Sequence, residues 1–349
     1  MKRTLVIIAA VGWVLSACSA IAGNGNPITQ GSANPLTLAV YGDWPYSTDL
    51  LSKAPLLIGS INSDPDVSLV LHVGDIHSGS MLCTADWNQG IFNLFQQFED
   101  PFVYTPGDNE WTDCHRAKEG SHDPLGELAN VRALFFPRPG FTLGEKPKRV
   151  FSESELFPFG SPTDRQYVEN VIWKDSQVVF VTLNLPGSNN DTVPWTAPFD
   201  TSAEIAAQAE EVANRTAADL HWLEIAFAAA QLTRAKGVVV GIQADMWDPA
   251  ALAGDGLNAY TPVVKKLADL CVQFGRPVLL INGDSHVFET DQPLADPSSA
   301  TGLIHGTQAV PNLTRLTVEG STLADEWVKL TVDPRSPGVF SWERIVYLP

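Results

Sequence analysis

Five times along this chain a short run of Val, Leu and Ile ends directly in an acidic turn. The runs are "LTLAVYGDW", "VSLVLHVGDIH", "FVYTPGDNE", "VVVGIQADMW" and "PVLLINGDSH". Apolar runs this short, bounded by turn residues, are buried strands, and helical patterns separate several of them. "TADWNQGIFNLFQQFED" puts Trp87, Ile91, Phe92, Leu94, Phe95 and Phe98 on one broad face, and the Ala-rich stretch 202–237 reads as one long helix ended by Gly237. Strands alternating with helices make an α/β chain with a substantially parallel sheet. Ligands of such sheets collect at the carboxyl ends of the strands, where all five acidic turns lie.

The remaining segments differ in character. "RVFSESE", "ENVIWKDSQVVFVTLN" and the tail "NLTRLTVEG", "EWVKLTVDP" and "GVFSWERIVY" alternate apolar and polar residues in hairpin-like runs. These are expected to form a second sheet packed on the first within one domain, because no long linker divides them. Residues 186–200, with "PGSNNDTVPW", are expected to overhang the strand ends.

The chain has 349 residues, 44% hydrophobic and 18% charged, so it reads as globular. Its 40 acidic against 22 basic residues argue against binding nucleic-acid phosphates or anionic lipid surfaces. An anionic partner therefore needs a cation to mask local carboxylates, and a bound divalent ion would serve. At the N-terminus Lys2-Arg3 precedes "TLVIIAAVGWVL" and then "SACSA", the pattern of an export signal and too short for a spanning helix. The tetrad ending at Cys18 resembles the bacterial lipobox, in which the Cys is lipidated after cleavage; the other reading is a plain cleaved signal. The expected layout is a signal over 1–18, a Gly- and Asn-rich tether over 19–36 and one domain over 37–349, exported to the periplasm or envelope on a lipid at Cys18. In an oxidising compartment Cys83 and Cys114, each following a Gly-Asp turn, are expected to pair, leaving Cys271 as a buried thiol.

One Gly-Asp turn is weak evidence, and each Asp can serve as a turn or helix cap. Asp43, Asp75, Asp108, Asp245 and Asp284 on one rim are another matter, since clustered carboxylates repel unless protonated or holding a cation. With His286 they make a mostly oxygen-ligand set. His72, inside an apolar strand, reads as a core histidine.

In order and placement these turns resemble the calcineurin-like metallophosphoesterases, which include the purple acid phosphatases. The family's sequence of D-x-H or D-x-G, G-D, G-N-H-[DE], a strand-end His and G-H-x-H is matched by Gly42-Asp43-Trp44-Pro45, Gly74-Asp75, Gly107-Asp108-Asn109-Glu110, Gln243-Ala244-Asp245 and Gly283-Asp284-Ser285-His286. The resemblance implies a metallophosphoesterase-like sandwich of two mixed β-sheets flanked by helices, four layers in α/β/β/α order. It also implies two divalent metal ions sharing a bridging Asp and activating a bridging hydroxide for attack on phosphorus. Asp75 takes the bridging role, and Asp43 and His286 bind the first ion.

Five positions depart from the family. Pro45 replaces the D-x-H histidine, and the place of the Tyr that supplies this ligand in purple acid phosphatases is Ser78, beside His77. Asp108 replaces an Asn ligand, Gln243 or Asp245 stands for the strand-end His, and Asp284 replaces the first His of G-H-x-H. Carboxylate in place of imidazole favours Mn, Mg or Ca over Zn. Asn109 stands where the family has the His that serves the leaving group, and Asn delivers no proton at neutral pH. His77, His115 and Glu110 are the nearest substitutes in sequence. The expected function is metal-dependent hydrolysis of a small or exposed phosphate ester, and the alternative is a non-catalytic, cation-binding envelope module on the same fold.

Overall fold

The computed structural model describes residues 27–28, 33–156, 162–321 and 324–347; the leader, Cys18 and most of the tether lie outside them. Two mixed sheets pack face to face. The first has the order β12-β11-β1-β2-β3, built from β1 (Leu36–Tyr41), β2 (Val67–His72), β3 (Phe102–Tyr104), β11 (Glu326–Val332) and β12 (Phe340–Val346). The second, β4-β5-β6-β7-β8-β10-β9, comprises β4 (Phe151–Ser152), β5 (Val171–Asp175), β6 (Val178–Thr182), β7 (Gly237–Gly241), β8 (Val278–Asn282), β9 (Glu289–Asp291) and β10 (Leu313–Thr317).

The two-residue period of a strand explains how three apolar layers arise from these runs. Leu38 and Val40 of β1 face inward with Leu69, Phe180, Val239 and Ile281 to fill the space between the sheets. Ala39 and Tyr41, on the opposite face, meet α1 (Ala54–Asn62), α2 (Ala85–Phe95) and α3 (Pro124–Phe135). Val179, Val238 and Leu280 do the same on the outside of the second sheet, under α4 (Ser202–Leu232) and α5 (Thr261–Phe274). The result is the α/β/β/α sandwich. Among the described residues no helix is long and apolar enough to cross a membrane.

Three sequence expectations need correction. The five acid-ended strands do not share a sheet: β1, β2 and β3 run parallel in the first, while β7 and β8 run parallel in the second. A strand buried on both faces reads the same in either sheet, so its sequence carries no sheet label. The tail likewise divides, β10 pairing parallel with β8 and β11 antiparallel with β1. Finally, the long helix stops at Leu232, where the Thr233 hydroxyl donates to the Ala229 carbonyl, and Gly237 opens β7 instead. As expected, β5 and β6 form a hairpin, Cys83 and Cys114 are bonded, and Cys271 is a buried free thiol.

Candidate metal centre

Because the sheets stack with these strand ends at one edge, turns from both sheets meet over a single cleft of ≈ 380 Å³. Asp43, Asp75, Asp284 and His286 all hold left-handed backbone, with φ of 48°, 60°, 75° and 62°. Such conformations cost about 1–3 kcal/mol each away from glycine and concentrate at functional sites. The glycines of the Gly-Asp phrase let neighbouring carboxylates approach. A Cβ on Gly107 would collide with Asp75, and one on Gly283 with Asp43.

The first half of the cluster centres on a residue that the sequence reading passed over. The buried Tyr46 hydroxyl lies 2.6 Å from Asp75 Oδ2, 3.2 Å from Asp43 Oδ1 and 3.1 Å from His286 Nε2, and accepts from Asn109 Nδ2 at 3.0 Å. One ligand atom each from Asp43, Asp75 and His286 lie within 4.8 Å of one another. Tyr46 follows Pro45 in "GDWPYS", three residues past Asp43, so a Tyr reaches the site from the first turn, whereas the Ser78 hydroxyl bonds that of Ser80. His72 braces this corner, with Nδ1 accepting from Gly74 N and Nε2 on the Trp44 carbonyl; burial drives its pKa down to about 3. It is the core histidine its surroundings suggested.

The second half joins Asp108 and Asp284 through Gln243, whose Nε2 donates to both at 3.1 and 3.2 Å. Gln243 Oε1 accepts from Gly187 N at 2.5 Å, which fixes the amide with its donor side toward the carboxylates. Gln243 therefore ties the two carboxylates together and offers them no acceptor. Asp245 is not in the cluster either. Its carboxylate is buried against Arg315 Nη1 at 2.6 Å and Trp247 N at 2.9 Å, and only its backbone N–H reaches Asp284 Oδ2. Arg315 also pairs with Asp291 and Glu289 of β9, so Asp245 belongs to a structural ion network across β9 and β10.

None of the residues considered as a replacement proton donor faces the cleft. His77 Nδ1 bonds the Ser78 carbonyl, and its ring lies beside the disulfide. His115 bonds Thr196, with burial pulling its pKa to about 4, and Glu110 accepts from Tyr104 Oη and Gly107 N, bracing its own turn. Asn109 acts as a positioning residue, its backbone N and Nδ2 donating to Asp75 and Nδ2 also reaching the His77 carbonyl at 2.9 Å. The wall opposite is the 186–200 loop, which does overhang the site. Ser188 Oγ sits within 3.2 Å of Asp108 and 2.7 Å of Asp113 and accepts from Arg116 Nη2, while Arg116 Nη1 pairs with Asp113.

The electrostatics are those of a cation site. Burial, then the charges of Asp108, Glu110 and Asp43, hold the Asp75 pKa well above the carboxylate range. Asp284 is raised in the same way by burial and Asp108, and Tyr46 by burial and Asp75. For His286 burial acts downward, but the hydrogen bond and charge of Asp43 outweigh it and the pKa rises. A divalent ion fits these residues: several carboxylates, one imidazole and one phenol, crowded together and short of positive charge. A larger groove of ≈ 790 Å³ between α3 and α4 contains none of these groups.

Solved structures similar to the chain include GAP50, the anchor in the inner membrane complex of Plasmodium, at 12% identity and a TM-score of 0.40, with 89% of each chain covered. Purple acid phosphatase PPD1 from yellow lupin seeds aligns at 13% identity and a TM-score of 0.41, over 91% of this chain and 54% of its own. Phosphopantetheinyl hydrolase from Mycobacterium tuberculosis aligns at 13% identity and a TM-score of 0.38, over 83% of this chain and 91% of its own. Among curated proteins none matches the sequence significantly. The profile of the calcineurin-like phosphoesterases matches residues 36–288, well over half of the chain and all five acidic turns, so the chain belongs to the calcineurin-like phosphoesterase family.

Proposed function

We propose that this chain hydrolyses phosphate esters, using divalent cations held by Asp43, Asp75, Asp108, Asp284 and His286 around Tyr46. The observation that supports this most directly is that Asp75, Asp108 and Asp284, from turns of two sheets, line one cleft with the buried Asp43 packed behind them, an arrangement that is unfavourable without positive charge. When bound, two such ions supply a Lewis acid and an activated water for attack on phosphorus. The mostly oxygen donors favour Mn, Mg or Ca over Zn.

The chain's own residues supply the rest. Asp75, fixed by Tyr46 and Asn109, adjoins both halves of the cluster. Arg116 lines the cleft, where its guanidinium suits an entering phosphate. Tyr46 keeps its hydroxyl proton through the neutral range and takes the place at the site for which the sequence offers no histidine. Turnover of an activated aryl phosphate with added Mn²⁺ tests the reading, and equal rates for wild type and Asp75→Asn overturn it.

A second reading, a cation-binding module without hydrolysis, draws on the two amides, Asn109 and Gln243, that stand where the family carries imidazoles and present donors to the carboxylates. Stabilisation by Ca²⁺ with no turnover of monoesters, diesters or nucleotides would establish it. The same proposal includes export and an acyl anchor at Cys18, which the mass of the mature N-terminal peptide checks.

A further inference from the structure

Directly behind the Asn109 turn, outside the cleft, lies a second group of metal-ligand atoms. A ring nitrogen of His77 and the sulfurs of Cys83 and Cys114 lie within 4.8 Å of one another, all three residues buried. The sulfurs are joined as a disulfide. His77 is fully buried, and its Nε2 has no hydrogen-bond partner. A buried ring nitrogen left unpaired costs stability, so its position calls for an explanation.

The Nδ1 contact with the Ser78 carbonyl, at 3.1 Å, supplies one. A carbonyl accepting from one ring nitrogen fixes the tautomer and leaves the lone pair of the other free, which is how metal-bound histidines are commonly held. The Asn109 carbonyl oxygen, 3.5 Å from Cys83 Sγ and 3.4 Å from Cys114 Sγ, stands by as a fourth donor.

We propose that reduction of the Cys83–Cys114 disulfide converts His77, Cys83 and Cys114 into a site for a thiophilic ion such as Zn²⁺, Cd²⁺ or Cu⁺. Two electrons from a thiol or phosphine reductant, with two protons from the reducing thiols or, for the phosphine, from water, break the S–S bond and give two thiols. A divalent ion then displaces both thiol protons and forms two thiolate bonds and one imidazole bond. Thiolate and imidazole select soft ions, whereas the carboxylate cluster selects hard ones, so the two sites sort metals differently. Entry runs through the short surface segment 78–82, where Ser80 and Leu82 are exposed.

The full chain is reduced with a water-soluble phosphine, which leaves as its oxide after taking up oxygen from water; excess reagent is removed and thiols are counted. Cd²⁺ is then titrated in the presence of excess Ca²⁺, which occupies the carboxylate cluster, and the thiolate-to-cadmium charge-transfer band is read. The expected result is one Cd²⁺ per reduced chain, none in the oxidised chain, and an unchanged titration in Asp75→Asn. Loss of an outer partner of a metal ligand costs about 10–100-fold in affinity, so loss of the ligand itself in His77→Ala should cost at least that. His77→Gln carries the comparison if the alanine variant does not fold. Release of both thiols without a band, a band of equal affinity in the His77 variants, or loss of the native circular dichroism on reduction overturns the proposal.

Discussion

Asp75→Asn separates the two roles of the most crowded carboxylate. In the wild type Oδ2 accepts from Tyr46 Oη and Asn109 Nδ2, and Oδ1 accepts from Asn109 N. An amide has one acceptor oxygen, so at least one of these buried donors loses its partner, at a cost of about 1–3 kcal/mol in chelator. Tyr46 can turn toward Asp43, 3.2 Å away, which keeps the loss near the lower end. Divalent cation at a hundred times its Kd stabilises the wild type by about 2.7 kcal/mol. At about 2–4 °C per kcal/mol, the scale for domains of 150–250 residues, Tm rises by about 5–10 °C. If removal of the shared ligand weakens binding by about 100-fold, the upper end for losing even an outer partner, the gain falls to about 0.4 kcal/mol, or about 1–2 °C. Differential scanning calorimetry of both proteins, in chelator and in Mn²⁺, Mg²⁺ or Ca²⁺, gives the four values needed. An equal cation-induced rise in wild type and variant, or no rise in the wild type with any of the three ions, refutes the reasoning.

Three further outcomes follow from particular contacts. Asp245→Asn should lower stability by about 1–3 kcal/mol, because the buried Arg315 Nη1 loses its carboxylate while Asp291 and Glu289 still pair with the guanidinium, yet leave the cation-induced rise in Tm intact; calorimetry with and without Mn²⁺ distinguishes this from a ligand variant. Tyr46→Phe should lower kcat on an aryl phosphate more than it changes KM, and cation affinity read by isothermal titration should fall as the hydroxyl between Asp43, Asp75 and His286 is lost. In chelator, thermal stability should decline from pH 5 to pH 8.5. Asp75, Asp284 and, near pH 8, Asp219 have folded pKa values above their unfolded ones, so their contribution is full below the unfolded carboxylate range and lost as pH rises through the folded values. Saturating Mn²⁺ should flatten that decline, as a scan of Tm against pH will show.

Much of the architecture was legible because each element carried its own period. Apolar runs cut off by Gly-Asp gave strands and turns, and the alternating 171–182 stretch gave a hairpin. Which sheet each strand joins was not legible. Val238 and Val240 face α4 and α5 while Val239 faces the other sheet, yet all three are the same residue. Side-chain direction was hidden at the site as well. In "QADMW" either polar residue can point to the cleft, and the choice is made far away in sequence by Arg315, which draws Asp245 off, and by the Gly187 N–H, which orients Gln243.

Tyr46 shows why matching a pattern position by position misleads where a site has been rebuilt. At Pro45 the first turn lacks an imidazole, and a search for its substitute leads to residues after Asp75, none of which reaches the cluster. The substitute stands beside the gap, where the next side chain along places its hydroxyl among Asp43, Asp75, Asn109 and His286. Asn109 is then no mere vacancy in the family pattern: its amide fixes both Tyr46 and Asp75, roles that an imidazole in its place would not fill from the same atom. Replacing Asn109 by His should therefore not by itself restore a family-like site, because the ring would displace the contact that positions Tyr46. The pair of changes Tyr46→Phe and Asn109→His should be strongly non-additive in kcat, as expected for two side chains sharing one hydrogen bond.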